Sequence, residues 1–271
     1  MNKFILHLGM PKTGSTYLQN HLFRRLKDIR VIRGWTSLRK IVTTPNNKHL
    51  ILSDETLSGD ITKPHLYDQF DTNVSNLSML FPNAIILFGI RNHESFILSC
   101  FKQSLRNGLV IKLEDYFNAH NSGLLKDEDI LFYPRIERLK EVFPRVIIYT
   151  IEELKNNEDN IIEEINKSLC IEKIDKCNNI KTKSNEGFDK IGNYYRYYKI
   201  NKINSFCRKN RLPTLYHKIF TIVGVDFRKC AESSSFWMKS NNENLDFDQA
   251  TKKYIQDRFS SDWNQAIENK C

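Results

Sequence analysis

The stretch Phe4-Ile5-Leu6-His7-Leu8, followed by Gly9-Met10-Pro11-Lys12-Thr13-Gly14-Ser15-Thr16, constrains this chain more than any other. A short apolar run that ends in a glycine-bounded turn and opens into Tyr17-Leu18-Gln19-Asn20-His21-Leu22 reads as strand, loop and helix. Backbone N–H groups gathered in such a loop at a helix N-terminus form a nest for phosphate-like anions. The same spelling can also serve as plain turn and capping chemistry, so residues elsewhere in the chain must decide.

Further along, apolar runs alternate with helical spacing. Val31-Ile32 begins a short strand after a first helix over 15–27. Leu50-Ile51-Leu52 reads as a buried strand ending in the polar loop Ser53 to Asp60, which places Asp54 and Glu55 at a strand's carboxyl end. Leu66, Phe70, Val74, Leu77 and Leu80 recur at helical intervals over 65–80, and Pro82 stops them before the apolar strand Ala84 to Ile90. Helices are expected over 94–106, 131–143 and 159–169, with a strand over 146–149. This alternation argues for a parallel sheet covered on both faces.

The loop's spelling narrows its chemistry. Gly9 and Gly14 keep the spacing of GxxxxGK[ST], but Ser15 stands where that pattern has its lysine, and the lysine here is Lys12. This PKTGST form resembles the 5′-phosphosulfate loop of sulfotransferases that use 3′-phosphoadenosine 5′-phosphosulfate (PAPS). The resemblance implies that Lys12 bears on the phosphosulfate, that Thr13, Gly14, Ser15 and Thr16 hold the 5′-phosphate, and that no metal is required.

Arg91 ends the third apolar strand and Ser99 follows eight residues on along a helix, an arrangement similar to the family's 3′-phosphate site. Arginine suits that task because its planar fork makes paired, charge-assisted hydrogen bonds to phosphate. In glycan-modifying members an acidic residue in the loop after the second strand acts as general base; Glu55 is the positional match and Asp54 the alternative. The segment Ile151-Glu152-Glu153-Leu154 resembles the family's YExL segment. Lys183 and Ser184, in the stretch 181–187, resemble a late loop returning to the adenosine and phosphates, against the alternative of a solvated turn. The stretch 101–123, with Arg106, Tyr116 and Phe117, corresponds to a region that often shapes the acceptor pocket, against the alternative of a solvated helix face.

Taken together, the resemblance implies an α/β, P-loop-like three-layer α/β/α fold with a central parallel sheet. Residues 1–271 would form a single domain, with 172–271 a largely helical C-terminal part. It further implies transfer of the sulfuryl group from PAPS to a hydroxyl or amine, leaving 3′,5′-adenosine bisphosphate. The acceptor expected is a glycan, and neither a nucleic-acid partner nor a metal is expected.

Composition agrees with a chain that folds around a sizeable core: 271 residues, 40% of them hydrophobic and 11% aromatic. Lysine and arginine number 41 against 32 acidic residues, a net charge of +9 that favours anionic ligands without choosing among them. Cys100, Cys170, Cys177, Cys207, Cys230 and Cys271 show no zinc spacing and read as reduced thiols of a cytoplasmic protein. The brief N-terminal apolar run reads as neither a signal peptide nor a membrane span. His7 reads as a satisfied near-core histidine, and His93 is left open. Two rival classes stand beside the resemblance. A P-loop kinase would need a lysine at position 15 and a magnesium carboxylate, whereas a non-catalytic binder of anionic polymers would use the basic stretch 172–211.

Overall fold

The computed structural model describes residues 3–37, 48–171 and 246–270, with Lys202, Ser205 and Lys209 as isolated helical positions. Five strands form one parallel sheet: β1 (Phe4–His7), β2 (Ile29–Arg33), β3 (His49–Ser53), β4 (Ile85–Ile90) and β5 (Arg145–Thr150), in the order β2-β3-β1-β4-β5. Because every strand is parallel, all five carboxyl ends lie along one edge. The register makes that edge level at its centre, with His7 beside Ser53 and Leu87, while Ile90 pairs with Thr150.

The helices are α1 (Ser15–Asn20), α2 (Leu66–Leu80), α3 (His93–Arg106), α4 (Leu113–Tyr116), α5 (Asp127–Ile130), α6 (Tyr133–Val142), α7 (Ile151–Asn156), α8 (Glu158–Leu169) and α9 (Gln249–Glu268). Strand alternation divides them between two faces. Leu6, Leu52, Ile86, Phe88 and Ile148 point toward α2, α3, α6 and α9, which contribute Phe70, Phe96, Ile136 and Phe259. Ile5, Ile51, Ile85, Leu87 and Ile147 point toward α1, α7 and α8, which contribute Leu18, Leu154 and Ile162. β4 is buried over all six residues, as a strand covered on both sides must be. The expected three-layer α/β/α fold with a central parallel sheet is therefore present.

Two local expectations need correction. The first helix does not run over 15–27: α1 ends at Asn20, His21 turns out of helical geometry (φ −124°, ψ −64°), and a 3-10 turn covers Leu22–Arg25. Across the break Phe23 and Leu26 join Leu18 and Leu22 against the sheet. Tyr116 and Phe117 neither line a pocket nor lie on a solvated face. Both are fully buried, and the Tyr116 hydroxyl donates to the Ile61 carbonyl at 3.2 Å.

The last described helix closes the core, with Trp263 packed against it. Its anchor is Asp262, which accepts from the backbone N–H groups of Phe132 and Tyr133 at 2.9 Å each and lies 3.0 Å from His93 Nε2. The His93 ring is stacked on Phe259 and packed against Phe132. His93 is thus committed to holding α9 on α3 and α6, which removes it as a candidate base. Four of the six cysteines lie outside the described residues; Cys100 is buried and Cys170 exposed, both as free thiols.

Candidate functional site

The loop after β1, the Asp54-Glu55 pair after β3, Arg91 after β4 and Ile151 after β5 all leave the same edge of the sheet. Strand order reverses about β1, so this is the crevice where parallel α/β sheets bind ligands. The sequence places its candidates on four different strands, and parallel pairing is what gathers them.

The loop has a defined shape. The Met10 N–H donates to the Gly89 carbonyl at 3.1 Å, which lays the loop over β4, and the Thr13 hydroxyl donates to the Met10 carbonyl at 2.6 Å. Lys12 sits at φ 68° and Gly14 at φ 95°. Left-handed residues alternating with ordinary ones turn successive N–H groups inward, which is the geometry of an anion nest. Gly14 is required twice over, by its positive φ and because a Cβ there would lie 2.5 Å from Leu154 Cδ2. A lysine at positive φ is strained, and something must hold it there.

That something is Arg91. Its Nη1 donates to the Lys12 carbonyl at 3.3 Å, while its Nε donates to Ser95 Oγ at 2.8 Å; Ser95 in turn donates to the Asn92 carbonyl. Nη2 has no partner among the described residues. Ser95 escaped the reading of the sequence, although its place four residues after Arg91 on a starting helix is a signal that could have found it. Ser99 lies one turn beyond Ser95 on the same helix face. Glu94 is drawn to Lys252 at 3.8 Å and does not take Arg91.

Charge at the site is mostly positive. Burial lowers the Lys12 ammonium from the usual lysine range; the Glu55 carboxylate opposes that shift, and Arg106 and Arg91 add to it. Four charged groups from three strand ends and a helix therefore sense one another. Arg91 is lowered mainly by burial, with Glu152 of the YExL-like segment opposing. Ser15 is buried and its hydroxyl has no hydrogen-bond partner among the described residues, while Thr16 is exposed. An orphaned hydroxyl beside a cationic nest fits an anion, and a multiply charged phosphosulfate nucleotide suits this donor set. α1 is only six residues long, so its dipole contributes little beside these cations.

The two acidic candidates differ in their engagements. Asp54 caps the 3-10 turn Glu55–Ser58, its Oδ1 accepting from the Thr56 N–H at 2.9 Å and the Thr56 hydroxyl at 2.6 Å. Glu55 is exposed at the crevice and within electrostatic reach of Lys12. Lys183 and Ser184 lie outside the described residues, as does most of the basic stretch 172–211. Among the described residues no group of three or more His, Cys, Asp or Glu could hold a metal ion, and no helix is long and apolar enough to cross a membrane.

No protein-family model matches this chain, and no curated protein matches it. The solved structures similar in the course of the chain include two sulfotransferases. One is a sulfotransferase from Alicyclobacillus acidocaldarius, 12% identical with a TM-score of 0.49, covering 84% of this chain and 98% of that one. The other is a mouse sulfotransferase complexed with PAP, 12% identical with a TM-score of 0.47, covering 100% of this chain and 86% of that one.

The unequal engagement of the two carboxylates has a measurable consequence for stability. Asp54→Ala loses a cap and should lower unfolding free energy in urea by about 1 kcal/mol, the usual worth of such a cap. Glu55→Gln should shift it by no more than about 0.5 kcal/mol, as for an uncommitted surface position. Equal losses for the two variants would contradict this division of labour.

Proposed function

We propose that this chain is a PAPS-dependent sulfotransferase that sulfates a hydroxyl or amine, with a glycan as acceptor. The observation that carries the reading is the Lys12 turn: a lysine held at φ 68°, its carbonyl gripped by Arg91 and its ammonium in electrostatic reach of Glu55. Bound PAPS supplies an activated sulfuryl group, whose transfer leaves adenosine 3′,5′-bisphosphate.

In this reading each residue has a limited task. The N–H groups from Thr13 to Thr16, together with the Ser15 hydroxyl, hold the 5′-phosphate. Lys12 stabilises the negative charge that grows on that phosphate as the sulfur–oxygen bond breaks, and the anion offsets the burial that disfavours its ammonium. The remaining Nη2 donor of Arg91, with Ser99 behind it, is aimed at the 3′-phosphate. Glu55 takes the proton of the attacking hydroxyl as the new oxygen–sulfur bond forms. The resemblance adds Lys183 and Ser184, which lie outside the described residues, to the nucleotide contacts. Most of the rate gain comes from positioning and fixed charge, as in phosphoryl transfer. The net charge of +9 supports an acceptor that is itself anionic.

Calorimetric titration tests the nucleotide. Adenosine 3′,5′-bisphosphate should bind with or without EDTA, and ATP should bind far more weakly. Equal affinity for ATP, or loss of binding on metal removal, would sink the reading in favour of a P-loop kinase. The base has its own test in sulfate transfer to glycan acceptors. Glu55→Gln should lower turnover by roughly 10²–10⁴-fold, the range for general base catalysis, with bisphosphate affinity nearly unchanged. Near-normal turnover in that variant would place the base elsewhere.

A further inference from the structure

The first turn of α3, His93-Glu94-Ser95, has two neighbours that no sequence spacing connects. On one side stands Arg91, whose Nε donates to Ser95 Oγ at 2.8 Å. The Ser95 hydroxyl proton goes to the Asn92 carbonyl at 3.0 Å, which leaves a lone pair of Ser95 for Arg91. The same carbonyl accepts the first helical N–H, that of Phe96, at 2.8 Å. Ser95 is therefore fixed to the start of the helix, and Arg91 is fixed to Ser95.

On the other side stands α9, and it holds the remaining two residues of the turn. His93 Nε2 lies 3.0 Å from Asp262 Oδ2, and the two side chains are only 3% and 7% exposed. A carboxylate only accepts, so His93 donates and carries a proton on Nε2. Phe259 stacks on the ring at 4.9 Å, Phe132 packs at 4.6 Å, and Trp263 meets it edge-on at 6.1 Å. Glu94 lies 3.8 Å from Lys252 near the start of α9, and Lys252 also pairs with Asp246.

This arrangement leaves the turn little freedom. Moving the His93 ring would strand a buried N–H without an acceptor, which costs more than an average hydrogen bond returns. Asp262 cannot follow the ring, because the backbone N–H groups of Phe132 and Tyr133 hold both of its oxygens at 2.9 Å. Any rotation of the turn would carry Ser95 with it. Since Arg91 Nε is tied to Ser95 and Nη1 to the Lys12 carbonyl, such a rotation would redirect Nη2, the donor left over for a ligand.

We infer that His93 and Asp262 are positioning residues for the 3′-phosphate site: through this pair, and through Lys252 on Glu94, α9 sets the first turn of α3 and with it Ser95 and the aim of the Arg91 fork. Neither residue touches the nucleotide. Selection of a 3′-phosphorylated nucleotide then depends on how a helix 169 positions further along the chain is docked, as well as on Arg91 itself. The inference rests on the proposed function only for what Arg91 Nη2 meets.

Asp262→Asn turns one accepting oxygen into a donor while three N–H groups still converge on it. His93→Phe keeps a ring among the aromatic side chains and removes the N–H, whereas His93→Gln offers an amide N–H at the reach of Nε2. Calorimetry on the whole chain compares adenosine 3′,5′-bisphosphate with adenosine 5′-monophosphate, which lacks the 3′-phosphate. Asp262→Asn and His93→Phe should each cut the preference for the bisphosphate about tenfold, the scale of one charge-assisted hydrogen bond lost, with monophosphate affinity unchanged. His93→Gln should restore most of that preference. Lys252→Met acts from the surface and decides the matter if the core variants do not fold; it should cut the preference about threefold, the scale of a surface ion pair. Without any ligand, nitrogen NMR should show faster exchange of the Arg91 Nε–H in Asp262→Asn and His93→Phe while the amides of Ile86 to Phe88 in β4 stay protected. Equal losses for the two nucleotides, a His93→Gln variant no better than His93→Phe, an unchanged preference in Lys252→Met, or unchanged Arg91 exchange would overturn the positioning role. If the wild-type protein shows no preference for the bisphosphate, the functional reading falls, while the Arg91 exchange comparison still decides for or against the positioning.

Discussion

The hydrogen bond from Arg91 to the Lys12 carbonyl is the contact on which the site depends. A lysine in the left-handed region costs on the order of 1–2 kcal/mol, and a hydrogen bond from a charged donor returns about 1.5–3 kcal/mol. At 3.3 Å this bond belongs at the weaker end of that range, so the two terms nearly cancel. The loop is then shaped by mutual constraint: Arg91 from β4, Thr13 on the Met10 carbonyl and the Gly14 turn against Leu154 each remove one way of relaxing. Without the parallel register that sets Arg91 beside the loop, the sequence GMPKTGST would be only a turn.

Electrostatics gives the same site its sign. Lys12, Arg91 and Arg106 approach one another with Glu55 among them, and partial burial makes their repulsion felt. A protein does not gather cations in a crevice for stability, since an isolated cluster of like charge opposes folding. An anionic ligand relieves that cost, which is why the cluster reads as a binding feature.

Much of this was visible in the amino-acid sequence because it was written in strong local signals. The apolar runs Phe4 to Leu8, Leu50 to Leu52 and Ala84 to Ile90 became β1, β3 and β4, and their abrupt polar ends put Lys12, Glu55 and Arg91 on one edge. What escaped depends on tertiary contacts that periodicity does not encode. The capping of Thr56 by Asp54 separates two adjacent carboxylates that look interchangeable in the sequence. Tyr116 and Phe117 were drawn into the core by the packing of α3 and α9, and the Arg91 contact to Ser95 is a side-chain pairing that no periodicity announces. The expectations for Lys183 and Ser184 lie outside the described residues.

The most direct test of this account is a crystal structure of the chain with adenosine 3′,5′-bisphosphate. The account requires the 5′-phosphate on the N–H groups of Thr13 to Thr16 beside Lys12, and the 3′-phosphate against Arg91 Nη2, with Glu55 left open toward the acceptor side of the crevice. A nucleotide bound away from the loop, or one seated there with neither phosphate touching Lys12 or Arg91, would contradict it.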